Sequence, residues 1–166
     1  MPDKVTLERA KKDKREGKAP TTQAGEFVRE EIEHIREGKH GARSAKQAIA
    51  IGLSKARRAG VDLPPPEKGS TSEKTRQSAA SAYRAGQKGD DAVSPTRSRA
   101  TTQVLKHEGR AAVSTKALAK QARAAAAGKP ASDRSAAAGK AATTKGATGR
   151  SAAAKKAART RSRTGK

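Results

Sequence analysis

The sequence has no cysteine and no tryptophan, and its aromatic residues are Phe27 and Tyr83. Without cysteine, the chain has no disulfide, no zinc ribbon, no iron–sulfur site and no thiol nucleophile. Recognition modules that stack bases on aromatic side chains need more aromatic residues than these two, which lie far apart in the chain. Any binding of nucleic acid must therefore rest mainly on electrostatics.

Large apolar side chains are also scarce, because only 16 of the 166 residues are Val, Ile, Leu or Phe. So few cannot offset the conformational entropy lost in ordering the whole chain. We therefore expect no single compact domain, no deep apolar pocket and no small-molecule substrate. The longest mostly apolar stretch, residues 48–53, is too short to span a membrane, and no secretory signal is expected behind Met1.

Charge is abundant and unevenly distributed, with 38 Lys and Arg against 16 Asp and Glu and a net charge of +22. Residues 1–40 carry a net +1, residues 41–66 +4, residues 67–100 +3 and residues 101–166 +14. From residue 128 onward, the chain consists of Lys, Arg, Ala, Gly, Ser, Thr, one Pro and one Asp. This composition predicts a disordered, Lys/Arg/Ala-rich basic tail over residues 128–166.

Residues 21–66 hold nine of the 16 large apolar residues and are the best candidate for a folded unit. Helical periodicity predicts one helix that stops at Gly38 and a second that starts at a capping box at Ser44 and stops at Gly60. The short connection favours an antiparallel helical hairpin. Its predicted core consists of Phe27, Val28, Ile32, Ile35, Ile49 and Leu53.

Less order is expected outside the hairpin. For residues 1–20 the sequence predicts a charged helix or arm. A helix there would be only marginally stable by itself, because it is short and polar. Residues 67–127 predict conditional Ala-rich helices, opening near Ser70, Ser94 and Ser114. The predicted fold class is therefore mostly α and disordered: a small helical hairpin followed by conditional Ala-rich helices and a disordered basic tail.

Glu31 is an anomaly, because it projects into the apolar stripe of the first hairpin helix. Either its side chain tilts to the rim of the stripe, or it has a partner such as Arg43 or Lys46.

The spacing of the histidines does not match a known metal-binding motif. Glu31 and His34 have the Glu-x-x-His spacing of di-iron bundles, but such sites need a second pair and two further Glu. His40 and His107 have no ligand-like companions in the sequence. We therefore expect no metal and no cofactor, and the absence of a nucleophile elbow or phosphate-binding loop predicts that the protein is not an enzyme.

The strongest functional signal is the recurrence of cations every two to six residues in the basic tail. This pattern predicts binding to DNA without sequence specificity, with RNA as an alternative because phosphates are common to both. Cations on the second hairpin helix and on the Ala-rich helices could extend the surface. The predicted nucleic-acid-binding residues are Lys46, Lys55, Arg57, Arg58, Arg97, Arg99, Lys116, Lys120, Arg123, Lys140, Lys145, Arg150, Lys155, Lys156, Arg159, Arg161 and Arg163.

Three resemblances bear on function. The basic tail resembles the C-terminal tails of linker histones and of bacterial histone-like nucleoid proteins, and residues 94–97 resemble the Ser-Pro-x-Lys/Arg turns of linker-histone tails. Residues 44–56 are similar to the Lys-Gln-Ala-Ile-Ala-Ile-x-Leu-Ser-x-Ala element of small basic bacterial proteins that are sometimes labelled plasmid stabilisation proteins. That likeness covers about residues 20–86, implies a bacterial intracellular protein and brings no catalytic residues.

Together these patterns predict a cytoplasmic, nucleoid-associated, histone-like protein. Its hairpin would serve self-association or bind a protein partner, while its tail neutralises phosphates. Two alternatives remain open: a hydrophilic stress-protective disordered protein, and a partner-binding factor in plasmid maintenance.

Overall fold

The computed structural model describes residues 2–89 and 94–164, excluding the side chains of Arg97, Thr144 and Thr164, and these ranges contain helices and no strand. The prediction of a mostly α protein is confirmed. The chain divides into two compact units, Met1–Gln121 and Ala122–Lys166. The helices are α1 (Lys4–Arg15), α2 (Pro20–Arg36), α3 (Ala45–Arg58), α4 (Glu73–Gln87), α5 (Pro95–Lys106), α6 (Thr115–Ala127) and α7 (Ala131–Thr164), and a short 3₁₀ turn spans Ala111–Val113.

The pair of α2 and α3 lies at the centre of the first unit. The predicted N-cap Ser44 begins α3, because the Gln47 backbone N–H donates to Ser44 Oγ at 3.2 Å. The Gln47 side chain reaches one residue beyond the N-cap of a standard capping box: its Oε1 accepts from the Arg43 N–H at 2.8 Å. Gly60 follows α3 at φ +80°, a left-handed conformation that favours glycine. The two helices pack against each other and run antiparallel, because Gly52 lies beside Val28 whereas Ala48, earlier in α3, clusters with Ile35, later in α2.

The core consists of two small clusters in which alanine supplies most of the members. Phe27 is completely buried in the first cluster, with Leu53 packed against it. Ile35 is completely buried in the second, with Ile32 packed against it. The other two predicted core residues, Val28 and Ile49, are half-buried. A few large side chains therefore anchor a core that is otherwise built from methyl groups.

The first unit is larger than the predicted hairpin, because α1 packs on α2 and α4 packs on α3. Ala10 of α1 joins the first cluster, and Ala79 and Ala82 are the buried residues of α4. A Cβ on Gly86 would collide with the Arg57 carbonyl oxygen, so α4 approaches the end of α3 closely. Small residues allow this docking, which a count of large apolar residues cannot detect.

The end of α5 and the segment after it also contact the hairpin. The Gly41 N–H donates to the Leu105 carbonyl at 2.8 Å, and the Ala42 N–H donates to the Gly109 carbonyl at 3.1 Å. Val113 of the 3₁₀ turn is buried in the second cluster. The helices predicted over residues 67–127 are present, and part of that segment belongs to the packed unit.

Helix starts in this segment follow serine caps. Ser72 accepts a hydrogen bond from the Thr75 N–H, so α4 begins two residues later than a cap at Ser70 would have it. Ser114 accepts one from the Ala117 N–H at 3.2 Å and opens α6 at the predicted position.

The prediction of a disordered tail is not confirmed, because α7 occupies most of it. Alanine has the highest intrinsic helix propensity, and it recurs throughout these residues. Gly146 interrupts the helical geometry with φ 64° and ψ 173°. Neither α7 nor any other helix in the described ranges combines the length and apolar character needed to cross a membrane.

Tyr83 on α4 offers a test of the docking of this helix. Its hydroxyl donates to Asp62 Oδ1 at 2.7 Å, and this hydrogen bond raises the pKa of Tyr83 above its ordinary 10.0. The raised pKa means that this contribution to folding is fully present below pH 10 and is lost as the pH rises through the higher value. An ultraviolet titration of the tyrosinate, which has a single source in this chain, should give a midpoint above 10.

The Tyr83 titration needs two variants. Asp62→Ala should lower the midpoint toward 10, because it removes the acceptor. Glu67→Ala, which removes an exposed carboxylate from the same connection, should leave it unchanged. Equal midpoints for wild type and Asp62→Ala would contradict the contact.

Candidate nucleic-acid interface

The cations of α7 form the largest concentration of like charge in the described chain. Ala131–Thr164 carries nine Lys and Arg and a single acidic residue, Asp133. All nine basic side chains are exposed: Arg134, Lys140, Lys145, Arg150, Lys155, Lys156, Arg159, Arg161 and Arg163. Nine exposed cations beside one carboxylate give this helix a strongly positive surface potential.

Beyond Gly146, the α-helical spacing collects four of these cations on one side. Lys155, Arg159 and Arg163 follow one another at intervals of four residues, and Lys156 lies beside them. The rise of an α-helix places successive members about 6 Å apart along the axis. We call Lys155, Lys156, Arg159 and Arg163 the α7 stripe.

Further exposed cations occur on α5 and α6, and those among them that were predicted to bind are Arg99, Lys116, Lys120 and Arg123. The side chain of Arg97, which was also predicted to bind, lies outside the described part of the structure. The resemblance to a linker-histone turn at residues 94–97 is not matched by the local structure, because Pro95 is already the first residue of α5.

The predicted cationic face of α3 needs correction. Lys46 is exposed and Arg58 is half-buried, but Lys55 and Arg57 are engaged within the first unit. Arg57 is buried and donates to the Leu63 carbonyl at 3.0 Å, and its desolvation lowers the pKa of its guanidinium. Both side chains therefore hold the fold together rather than forming an open surface for phosphates.

Lys55 instead meets the anomalous Glu31, which is completely buried. Lys55 Nζ lies 2.7 Å from Glu31 Oε2, and His40 Nε2 lies 3.3 Å from Glu31 Oε1. The interpretation that Glu31 tilts to the rim was wrong. The alternative, that Glu31 has a partner, is confirmed, but its cationic partner on α3 is Lys55 and neither Arg43 nor Lys46. His40, expected to have no companion, has one because the turn after α2 brings it back against the helix.

Comparison with known protein families shows a match to a family of unknown function (DUF6496) over residues 11–68. The matched region is about a third of the chain and includes the whole of α2 and α3. No curated protein and no solved structure gives a significant match. The similarity therefore covers the hairpin and supplies no activity for it.

Proposed function

We propose that this protein binds nucleic acid without sequence specificity, with DNA as the expected partner, and acts as a histone-like, nucleoid-associated protein. The observation that carries the proposal is the exposure of all nine basic side chains of α7 beside one acidic residue. Two further functions remain predictions: a role in plasmid maintenance, and self-association through the hairpin.

The mechanism is neutralisation of phosphates with release of counterions. Duplex DNA carries one negative charge per about 1.7 Å of its axis, so a row of cations spaced about 6 Å apart finds phosphates at any sequence. The α7 stripe meets that requirement on one side of a helix. Exposed arginines and lysines on α5 and α6 add contacts of the same kind.

The stress-protective alternative gains no support from the fold, because it requires a chain that is mostly disordered. The described residues are mostly helical, and those of Met1–Gln121 form a packed unit. A protectant also gains nothing from a net charge of +14 in residues 101–166.

A salt titration tests the proposal. If seven cations contact phosphates, affinity for a duplex of arbitrary sequence should fall about 10³-fold or more between 50 and 200 mM salt. Truncation after residue 127 should remove most of the affinity, and RNA of similar charge should compete. A flat salt response, or full affinity after truncation, would show that the tail is not the binding element.

Two variants of equal charge show whether the helical arrangement matters. The first replaces the α7 stripe (Lys155→Gln, Lys156→Gln, Arg159→Gln, Arg163→Gln). The second removes four cations that do not share one helical side (Arg134→Gln, Lys140→Gln, Lys145→Gln, Arg150→Gln). Losing four contacts should reduce the slope of log affinity against log salt by about 3.6. We expect that loss for the stripe variant and a smaller one for its matched control.

A further inference from the structure

We propose that Glu31, His34 and His40 form a binding site for a divalent transition-metal ion with the preferences of Zn²⁺. One ligand atom from each residue lies within 4.8 Å of the others. Two imidazoles and one carboxylate form a ligand set that zinc uses in proteins, with a fourth position for water. This inference is separate from nucleic-acid binding, since these residues belong to the hairpin.

The tautomer of His40 provides the first argument. His40 Nδ1 lies 3.1 Å from the Gly41 carbonyl oxygen, which only accepts hydrogen bonds, so Nδ1 carries the hydrogen. In the neutral ring, Nε2 then carries a lone pair and lies 3.3 Å from Glu31 Oε1, an approach that lacks hydrogen-bond geometry. Two acceptor atoms at this distance repel each other unless a proton or a metal ion lies near both, and the test below separates these two cases. A backbone hydrogen bond at Nδ1 is also the usual way in which proteins orient a histidine that binds metal through Nε2.

The burial of Glu31 provides the second argument. The side chain is 0% exposed, and neither of its oxygens accepts a hydrogen bond within the described residues. The short contact between Lys55 Nζ and Glu31 Oε2 lacks hydrogen-bond geometry and acts through charge alone. A carboxylate is costly to bury in this condition, and a metal ion at Oε1 would satisfy it.

His34 has the surroundings that a metal-bound histidine needs. Its Nε2 lies 3.4 Å from Asp3 Oδ2, and its Nδ1 lies 4.0 Å from Glu30 Oε1. Whichever ring nitrogen binds the metal, the other therefore faces a carboxylate. Such an outer carboxylate fixes the ring and raises its basicity as a ligand.

The charges of the contacting groups match a divalent ion. Asp3, Glu30 and Glu31 contribute three negative charges, and Lys55 contributes one positive charge. With both imidazoles neutral, the cluster carries a net charge of −2. A single Zn²⁺ would neutralise it.

A cleft reaches His34, one of the three proposed ligands, from solvent. Its lining includes Asp3, Glu30 and His34, and the side chains of His34 and His40 each keep 14% of their surface exposed. A buried site with an entry path meets the requirements for reversible metal binding.

The test is a titration of the full chain with Zn²⁺, followed through the imidazole proton resonances of its three histidines. We expect one ion per chain, with the signals of His34 and His40 shifting and that of exposed His107 unchanged. The proposal would be overturned if zinc shifted no imidazole signal or shifted those of all three histidines. It would also be overturned if the signals of His34 and His40 moved only when the pH was lowered. This measurement needs no variant.

Variants then assign the ligands by calorimetry. His40→Gln and Glu31→Gln should each weaken zinc binding by about 100-fold or more. The matched control, His107→Gln, should leave the zinc affinity unchanged. Mg²⁺ should not bind, because it prefers oxygen ligands to the nitrogen ligands of this site. Zinc affinity that is the same in all three variants would place the ion elsewhere.

Discussion

Gly52→Ala should lower the free energy of unfolding of the first unit by about 2 kcal/mol, a large effect for one added methyl group. A Cβ at this position would lie 2.6 Å from Val28 Cα and 2.9 Å from the Val28 nitrogen. Both are backbone atoms of α2, so no side chain can rotate to make room. The two helices would have to separate, and the Phe27 and Ile35 clusters would lose contacts.

The matched control for this prediction is Gly25→Ala, the same change in the middle of α2. Nothing lies within 4 Å of a Cβ at Gly25, and its φ is not in the left-handed region. There the alanine should stabilise by about 0.5–1 kcal/mol through helix propensity. Urea unfolding followed by circular dichroism measures both. A stabilising effect at Gly52 would contradict the close approach of α2 and α3.

The contrast between Gly25 and Gly52 explains which parts of the fold are predictable from sequence. Periodicity and caps predict α2, α3 and the start of α6, because those signals are local. They do not predict how far the packed unit extends. Ala10, Ala79 and Gly86 carry no hydrophobic signal, yet they let α1 and α4 approach the hairpin closely enough to pack.

The residues of the candidate sites are also predictable from sequence only in part. An exposed cation in an Ala-rich helix such as Arg159 is predictable from composition. The contacts of Lys55 and Arg57 within the first unit are not predictable in this way, because they depend on which carbonyl and carboxylate groups the rest of the fold brings near. A sharper helical projection would have placed Lys55 beside Gly52, at i+3, and therefore at the edge of the packed face.

His40 was missed for a related reason. It lies nine residues after Glu31, a separation that no helical spacing connects. Only the turn containing Gly38, at φ 80°, reverses the chain and returns the ring to α2. Glycines on both sides of an otherwise isolated histidine, Gly38 and Gly41, were the available hint.

The second large effect concerns Lys55. Lys55→Met should destabilise the first unit by about 3 kcal/mol when a chelator keeps the protein free of metal. The variant leaves the Glu31 carboxylate buried without a neighbouring ammonium group. Lys46→Met makes the same substitution at an exposed lysine of the same helix and should change stability by less than about 0.5 kcal/mol. Thermal and urea unfolding would measure both.

The double variant Glu31→Leu, Lys55→Met separates the cost of an unpaired charge from the loss of packing. An apolar pair of similar volume is often as stable as the ion pair that it replaces, so the double variant should recover most of the loss. Glu31→Leu alone should cost less than Lys55→Met alone, because Lys55 keeps Glu30 at 3.5 Å and has 23% of its side chain exposed. If the two single effects simply add, then Lys55 does not stabilise this carboxylate, and the cation that does so must be sought at His40.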